Sequence, residues 1–338
     1  MDLRALPKVE LHRHLAGSIR LETAFDLAKR AHLPTPARSP QELSTHLQVL
    51  EPMNDLGQVL KVFEFIAKLF TSEDQIERVA HEVVLDAASE HICLLELRFS
   101  PDYLAQSAGL SWDRLTESIL KGVQRACAEA PEIEVGLIAI VSRNLGVASA
   151  VRTADYARRW RDVLVGFDLA DDEQAWPSRM FVDALRPLEE LGLPLTVHSG
   201  EATGPAYVQD TLDSLRPRRI GHGVAVGADE ALIERVIREK VTLEVCPTSN
   251  VRTRSVATFE DHPAKRLFDQ GVSIAINTDD PGLFDLTLTG ELTVARDRMG
   301  FTDEDLLAVQ RQALQASFLP RDTRVRISER HFGGAPVE

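Results

Sequence analysis

The strongest constraint on the fold is an alternation of short apolar runs with segments of helical spacing, which begins at about residue 90. Leu115, Ile119, Val123 and Ala126, for example, lie three or four positions apart, as residues on one face of an α-helix do. The apolar runs are short enough to be strands, and one more lies near the start of the chain. The predicted strands are residues 9–12, 92–99, 135–141, 163–168, 195–198, 219–222, 242–245 and 273–277.

Strands that alternate with helices form βαβ units, in which a parallel sheet is covered by helices. Eight such units make a (β/α)8 or TIM barrel of the α/β class, for which about 250 residues is typical. The 338 residues therefore predict one barrel domain over 1–338 that carries insertions. The largest is a helical insertion after strand 1, and a C-terminal helix at about 303–317 is predicted to cap the barrel. The insertion is predicted to hold helices at 21–31, 41–50, 55–70 and 72–91, with Pro34, Pro36, Pro40 and Pro52 as breaks.

The predicted helix 55–70 has two interpretations. It places Leu56, Val59, Leu60 and Phe63 on one face. That face could pack on the core or form a lid over a pocket, and the sequence does not decide between them.

Composition restricts the partners and the compartment. Lys and Arg number 38 and Asp and Glu number 52, so the formal net charge is −14, and no basic stripe offsets it. Nucleic acid is therefore not expected as a partner, because phosphate binding needs clustered cations. No apolar stretch approaches the roughly 20 residues that span a bilayer, and no signal peptide is expected. Three widely spaced cysteines, Cys93, Cys127 and Cys246, predict free thiols, and we expect a cytoplasmic protein.

Polar residues follow four of the predicted strands at their C-terminal ends. His12 and His14 are two positions apart, so strand alternation puts both on one face. His198 ends another strand, His222 lies between glycines at the end of the next, and the last strand leads into the pair Asp279 and Asp280. In a parallel barrel these ends converge on the face that carries the catalytic groups.

Three imidazoles and one carboxylate, from His12, His14, His198 and Asp279, suit a zinc ion with water in a remaining position. Glu201 follows a predicted ligand by three residues and can carry a proton between attacking water and a leaving group. His222 can orient the water, and Asp280 can hydrogen-bond the substrate. The pattern predicts metal-assisted hydrolysis but not the bond that is broken.

These residues lie in motifs that resemble those of the adenosine deaminases of the amidohydrolase superfamily. The motifs are PKVELHRHLAGSIR (7–20), LELRFSPDY (95–103), VGFDLADDE (165–173), TVHSGEATGP (196–205), RIGHGV (219–224), CPTSN (246–250) and INTDDPG (276–282). The resemblance covers nearly the whole chain. It implies one zinc ion on the four ligands above and a small-molecule purine nucleoside, adenosine or 2′-deoxyadenosine, as substrate. It also implies that Glu201 protonates the ring nitrogen N1, that His222 positions the attacking hydroxide, and that Asp280 binds N7.

The chain departs from the family pattern at two positions, Ala16 and Asp171. We expect these two residues, together with His14 and Asp280, to contact the substrate. Members acting on adenosine usually have Asp two residues beyond the second histidine, where it binds the ribose 5′-hydroxyl, and this chain has Ala16 there. Asp171 replaces the glycine whose backbone N–H holds the purine N3. Both departures bear on substrate choice.

Several alternatives therefore stay open. The substrate could be adenine or a 5′-modified adenosine such as aminodeoxyfutalosine or methylthioadenosine. A barrel hydrolase with two metals usually bridges them through a modified lysine, and no lysine ends a predicted strand. A non-enzymatic relative that has lost the metal would lack metal ligands, whereas this chain retains all of them. Protein partners and oligomeric state are not predicted.

Overall fold

The computed structural model describes residues 1–33, 37–53 and 57–337, with the backbone alone at 57–60. Some sequence predictions therefore fall outside the described residues. They concern the breaks at Pro34 and Pro36, the start of the predicted helix 55–70, and the side chains of Leu56, Val59 and Leu60.

Eight parallel strands form one sheet, paired in sequence order from the first to the eighth. A bridge between Arg13 and Asp279 joins the two ends of the sheet, which makes the strands a barrel. The predicted TIM-barrel fold is therefore confirmed. The strands are β1 Lys8–His14, β2 Ile92–Phe99, β3 Glu134–Ser142, β4 Leu164–Ala170, β5 Leu195–Ser199, β6 Arg219–His222, β7 Thr242–Val245 and β8 Ser273–Ile276.

Among the described residues, four α-helices lie between β1 and β2, and further helices follow each later strand. In chain order the α-helices are α1 Leu21–Arg30, α2 Pro40–Leu47, α3 Gly57–Leu69, α4 Glu73–Ser89, α5 Pro101–Ala108, α6 Trp112–Glu129, α7 Gly146–Trp160, α8 Val182–Glu190, α9 Pro205–Ser214, α10 Glu230–Arg238, α11 Pro247–Arg252, α12 Ala264–Asp269, α13 Pro281–Phe284, α14 Leu288–Arg298, α15 Asp303–Ala316 and α16 Arg321–His331. Single 3-10 turns include Ala16–Ser18, directly after β1. Within the ranges given above, no helix is long and apolar enough to cross a membrane.

The outer helices bury the faces that their periodicity indicates. In α6 the buried positions include Leu115, Ile119, Val123 and Ala126, and the Ser111 side chain accepts the Arg114 N–H as an N-cap. The three cysteines are free thiols.

The helix α15 packs against β8 and β1. The side chain of Gln310 accepts the Val9 N–H at 2.7 Å, and that of Gln312 accepts the Ile274 N–H at 2.9 Å. Polar side chains of one helix therefore satisfy backbone donors near the start of both strands. The helix α16, which follows, was not predicted.

The helix α3 lies near the C-terminal ends of the strands. It packs against the turn Ala16–Ser18. Its Phe63 contacts the apolar cluster of Leu283 and Phe284, just beyond Asp280. This position is compatible with a lid, and the lid role of this helix stays a prediction.

Candidate active site

The four side chains predicted as metal ligands converge at the C-terminal end of the barrel. His12 and His14 come from β1, His198 comes from β5, and Asp279 lies three residues beyond β8. Their nearest nitrogen and oxygen atoms all lie within 4.8 Å of one another. Asp279 Oδ1 is 3.2 Å from Nε2 of His12 and 3.2 Å from Nε2 of His14. The topology thus brings together groups from both ends of the chain.

The orientation of the imidazoles tests whether this cluster fits a metal ion. His12 Nδ1 lies 2.8 Å from Glu244 Oε2, and His198 Nδ1 lies 3.0 Å from Asp168 Oδ1. A carboxylate accepts the Nδ1 proton, so each ring presents the Nε2 lone pair to the cluster. The buried Nε2 of His12 makes no hydrogen bond within the described structure. The four residues therefore fit a divalent ion.

The pKa values in the cluster are also those of a ligand set. Burial lowers the pKa of His198 to about 3, so that its imidazole is neutral near pH 7. Burial alone would raise the pKa of Glu244, but the positive charges of Arg98 and Arg219 hold it well below its ordinary value. Burial alone would also raise the pKa of Asp279, but the nearby His12 and His14 rings hold it well below its ordinary value. Neutral imidazoles and ionised carboxylates are the forms that bind metals.

Asp279 is fixed from three directions. Its backbone N–H donates to the carbonyl of His12, its carbonyl accepts the N–H of His14, and both contacts are 2.9 Å long. The Ser249 hydroxyl donates to Oδ2 at 2.7 Å. The residue has a φ of 65°, a left-handed conformation that persists only where the surroundings enforce it. This candidate ligand is thus held by the closure of the barrel itself.

Glu201 and His222 lie side by side next to this cluster. Glu201 Oε2 is 3.4 Å from His222 Nε2. The Asn250 amide donates to His222 Nδ1 at 3.1 Å, and its oxygen is 3.2 Å from His262 Nε2. Because Nδ1 of His222 accepts, its ring proton is on Nε2 and faces Glu201.

The loop that carries Glu201 is held by a buried carboxylate. The backbone N–H groups of Gly200, Glu201 and Ala202 all donate to Glu173, at 2.7 to 3.0 Å. Burial, together with the charge of Asp279, raises the pKa of Glu201. A carboxyl group that retains its proton at higher pH is suited to general acid catalysis.

Asp280 lies next to Asp279 but faces a different environment. Burial and the charges of Asp279 and Glu201 raise its pKa well above the ordinary value. Its Oδ1 is buried and has no hydrogen-bond partner among the described residues. A Cβ placed on Gly17 would stand only 1.7 Å from this oxygen, so Asp280 fits because residue 17 is a glycine. The unpartnered oxygen is available to a substrate.

The two residues that depart from the family pattern are also near the site. Ala16 begins the 3-10 turn after His14 and is half-buried. Asp171 follows β4 with a φ of 79°, is open to solvent, and accepts a hydrogen bond from the Ser142 hydroxyl. His14 ends β1 and Asp171 directly follows β4, so both lie at the C-terminal end of the barrel.

Sequence reasoning missed the residues behind the ligands, namely Asp168, Glu244, Ser249 and Glu173. A charged residue inside an apolar strand, as Asp168 and Glu244 are, must be paired if it is buried, and that signal could have identified both. The structure also brings Cys246 close to His222 and Asp279. Burial raises the pKa of the Cys246 thiol well above its ordinary value, so the thiolate form that binds metals is disfavoured.

A barrel with this set of donors at its C-terminal end is that of a metal-dependent hydrolase. Comparison with known proteins gives the family. The adenosine deaminase family model matches residues 7–331. The adenosine deaminases of Shewanella denitrificans and Erwinia tasmaniensis are 34% and 37% identical to the chain, over 95% and 96% of its length and 97% and 98% of theirs.

Three solved structures share the fold. Adenine deaminase from Arthrobacter aurescens is 25% identical with a TM-score of 0.87 and covers 97% of this chain and 99% of its own. An amidohydrolase from Burkholderia ambifaria with bound Zn is 25% identical with a TM-score of 0.87, over 99% and 93% of the two chains. Arabidopsis N6-mAMP deaminase is 29% identical with a TM-score of 0.85, over 98% and 99%.

The chain belongs to the adenosine deaminase family, as the sequence motifs predicted. It is a hydrolase that removes an amino group from a purine. A metal cofactor is supported by the donor cluster and by the zinc-containing relative.

Proposed function

We propose that the enzyme hydrolyses adenosine and 2′-deoxyadenosine to inosine and 2′-deoxyinosine plus ammonia, with one zinc ion per chain on His12, His14, His198 and Asp279. The observation that carries this proposal is the convergence of these four donors beside the Glu201–His222 pair. The bound ion would supply a Lewis acid that lowers the pKa of water towards 7.

Glu201 carries the proton in this mechanism. Its raised pKa lets it give a proton to the purine N1 while the oxygen of water adds to C6. The Nε2–H of His222 faces the same space and orients the attacking oxygen. Water gives up one proton as its oxygen adds, and this proton restores the Glu201 carboxyl. The carbon–nitrogen bond at C6 then breaks. The amino group takes up the proton of the new C6 hydroxyl by way of Glu201 and leaves as ammonia, and a carbonyl remains at C6.

Asp280 orients the purine. Burial raises the pKa of its carboxyl, and in the protonated form Asp280 can donate a hydrogen bond to N7, which only accepts. We assign the remaining contacts with the base to His14, the most exposed of the four candidate ligands, and to the backbone N–H of Asp171.

Ala16 favours a second candidate, a 5′-modified adenosine such as methylthioadenosine or aminodeoxyfutalosine, or adenine itself. A methyl group cannot accept a hydrogen bond from a 5′-hydroxyl, so the site lacks the contact that would select for one. The similarity to an adenine deaminase and to an N6-mAMP deaminase supports testing this range of substrates.

The decisive experiment is ammonia release with a panel of adenosine, 2′-deoxyadenosine, adenine, methylthioadenosine, S-adenosylhomocysteine, aminodeoxyfutalosine and AMP. We expect the highest kcat/KM with adenosine or 2′-deoxyadenosine. A preference of tenfold or more for a 5′-modified substrate would establish the second candidate instead, since tenfold corresponds to about 1.4 kcal/mol. Metal analysis of the same preparation tests for about one zinc per chain.

A further inference from the structure

A chain of buried charges runs from the metal cluster through the interior of the barrel to its opposite end. Behind His12, Glu244 uses Oε2 for the imidazole and places Oε1 2.7 Å from Arg219 Nε. Arg219, the first residue of β6, donates from Nη2 to Glu96 Oε2 at 2.5 Å. His12, Glu244, Arg219 and Glu96 are each 0% exposed.

The far end of this chain is anchored by the segment after α15. The Ser317 hydroxyl and the Phe318 N–H both donate to Glu96 Oε1, at 2.7 and 2.5 Å. The Phe318 ring covers the Arg219 guanidinium, whose Cζ is 3.5 Å from the ring centroid. Gly166 makes room for this ring, because a Cβ there would stand 2.4 Å from Phe318 Cδ2.

The alternating charges make this series of buried side chains sensitive to the loss of any one of them. Arg219 lies between two carboxylates, and Glu244 lies between Arg219 and Arg98, whose Nη2 is 3.0 Å from Glu244 Oε2. A buried charge that loses its partner is strongly destabilised, so its neighbours move to compensate. For Glu244 such a movement changes the hydrogen bond that orients His12.

We propose that Glu96 and Arg219 are positioning residues for the metal ligand His12, and that Ser317 and Phe318 fix them from the opposite end of the barrel. The inference rests on the proposed metal-binding role of His12. Groups behind a metal ligand typically change metal affinity 10–100-fold when mutated. Glu96 acts through two intervening side chains, so we expect an effect at the lower end of that range.

The first test is the zinc dissociation constant of the full-length protein, measured by competition with a chelator. Glu96→Gln preserves the shape of the side chain and removes its charge, and should weaken zinc binding about tenfold. Tyr156→Phe is the matched control, because it removes a buried hydrogen bond of 2.5 Å to Thr116 in the outer helices. Both variants should lose thermal stability, but the control should bind zinc within about twofold of wild type. Wild-type zinc affinity in Glu96→Gln would overturn the proposal.

The second test is a double-mutant cycle between Glu96→Gln and Glu244→Gln. If Glu96 acts through Glu244, the double variant should bind zinc more tightly than the product of the two single effects predicts. If the effects of the two single variants on zinc affinity simply multiply, Glu96 does not act through Glu244. Ser317→Ala, which removes one of two donors to Glu96, is the milder variant if the charge changes prevent folding. It should weaken zinc binding about threefold, and an unchanged affinity would contradict the proposal that Ser317 and Glu96 help to position His12.

The outcomes separate this inference from the proposed function. A wild-type protein that neither binds zinc nor releases ammonia would refute both. A wild-type protein that does both, with variants of unchanged zinc affinity, would refute the positioning role alone.

Discussion

The pH dependence of stability should contain a large contribution from Glu291, a carboxyl group outside the reaction centre. Glu291 lies on α14, is 1% exposed, and accepts the Thr248 N–H at 2.9 Å as well as the Thr248 hydroxyl. Burial, only partly offset by these hydrogen bonds, raises its pKa from 4.5 to about 7. The folded protein therefore holds this proton more tightly than the unfolded chain does.

The sign of the effect follows from this difference. Below about pH 4.5 the group is protonated in both states and contributes nothing to the pH dependence. Between about pH 4.5 and 7 the unfolded chain loses the proton first, so the free energy of unfolding falls as the pH rises. Above pH 7 the cost is complete, and at 1.36 kcal/mol per pKa unit it is about 3 kcal/mol.

The variant Glu291→Gln removes this titration and keeps the shape of the side chain. We expect it to be more stable than wild type at about pH 8, by up to about 3 kcal/mol, and to lose this advantage towards about pH 5. Urea unfolding of chelator-treated protein, followed by circular dichroism across this range, measures the difference.

Tyr156→Phe serves as the control here as well. Burial raises the pKa of Tyr156, so its hydroxyl stays neutral throughout and the cost of losing it should not vary with pH. If the difference between wild type and Glu291→Gln is constant within about 0.5 kcal/mol, the titration of Glu291 is not coupled to folding.

Four further predictions concern the site. His198→Ala should lose bound metal and ammonia release together, and full turnover without metal would refute the ligand assignment. Glu201→Gln should retain metal by metal analysis but lose 10²–10⁴-fold in kcat, and a loss below about tenfold would assign the proton transfer to another group. Ala16→Asp should raise kcat/KM for adenosine relative to methylthioadenosine, because an unpaired carboxylate against an apolar 5′ group is costly; an unchanged ratio would show that residue 16 does not face that position. Gly17→Ala should lower kcat/KM for every substrate, because its Cβ would stand 1.7 Å from Asp280 Oδ1, and wild-type kinetics would show that Asp280 does not need its present position.

The positions of the strands could be predicted closely, because strands that are covered by helices are short apolar runs bounded by polar residues. Residues 92–99, 219–222 and 242–245 have the predicted bounds. The first strand continues two residues beyond its predicted end, to His14, although Arg13 is charged. Arg13 is 2% exposed and its Nε lies 3.0 Å from Glu10 Oε2, so its charge is paired inside the protein. Polarity alone marked this strand end too early.

The C-terminal helix was missed for a different reason. Arg321–His331 is mostly charged, and its buried residues are Ile327 and Ser328. Such a helix has almost no apolar periodicity to detect.

The donors of the site were accessible from sequence because each lies at or just beyond a strand end, whereas the pairing of the interior charges was not. Glu96 comes from β2, whereas Arg219 and Glu244 come from β6 and β7, more than 100 residues later in the chain. Their pairing depends on the stagger of the strands around the barrel, which no local pattern encodes.

The bridge between Arg13 and Asp279 also has a consequence for the order of assembly. During synthesis the first strand emerges before the other seven, and the residue that joins it to the eighth strand emerges after all of them. Until then the growing sheet has two open edges, and three of the four candidate ligands exist without the fourth. The cluster of four donors is therefore complete only when Asp279 has joined the first strand, and a nascent chain released before Asp279 lacks the donor at the seam.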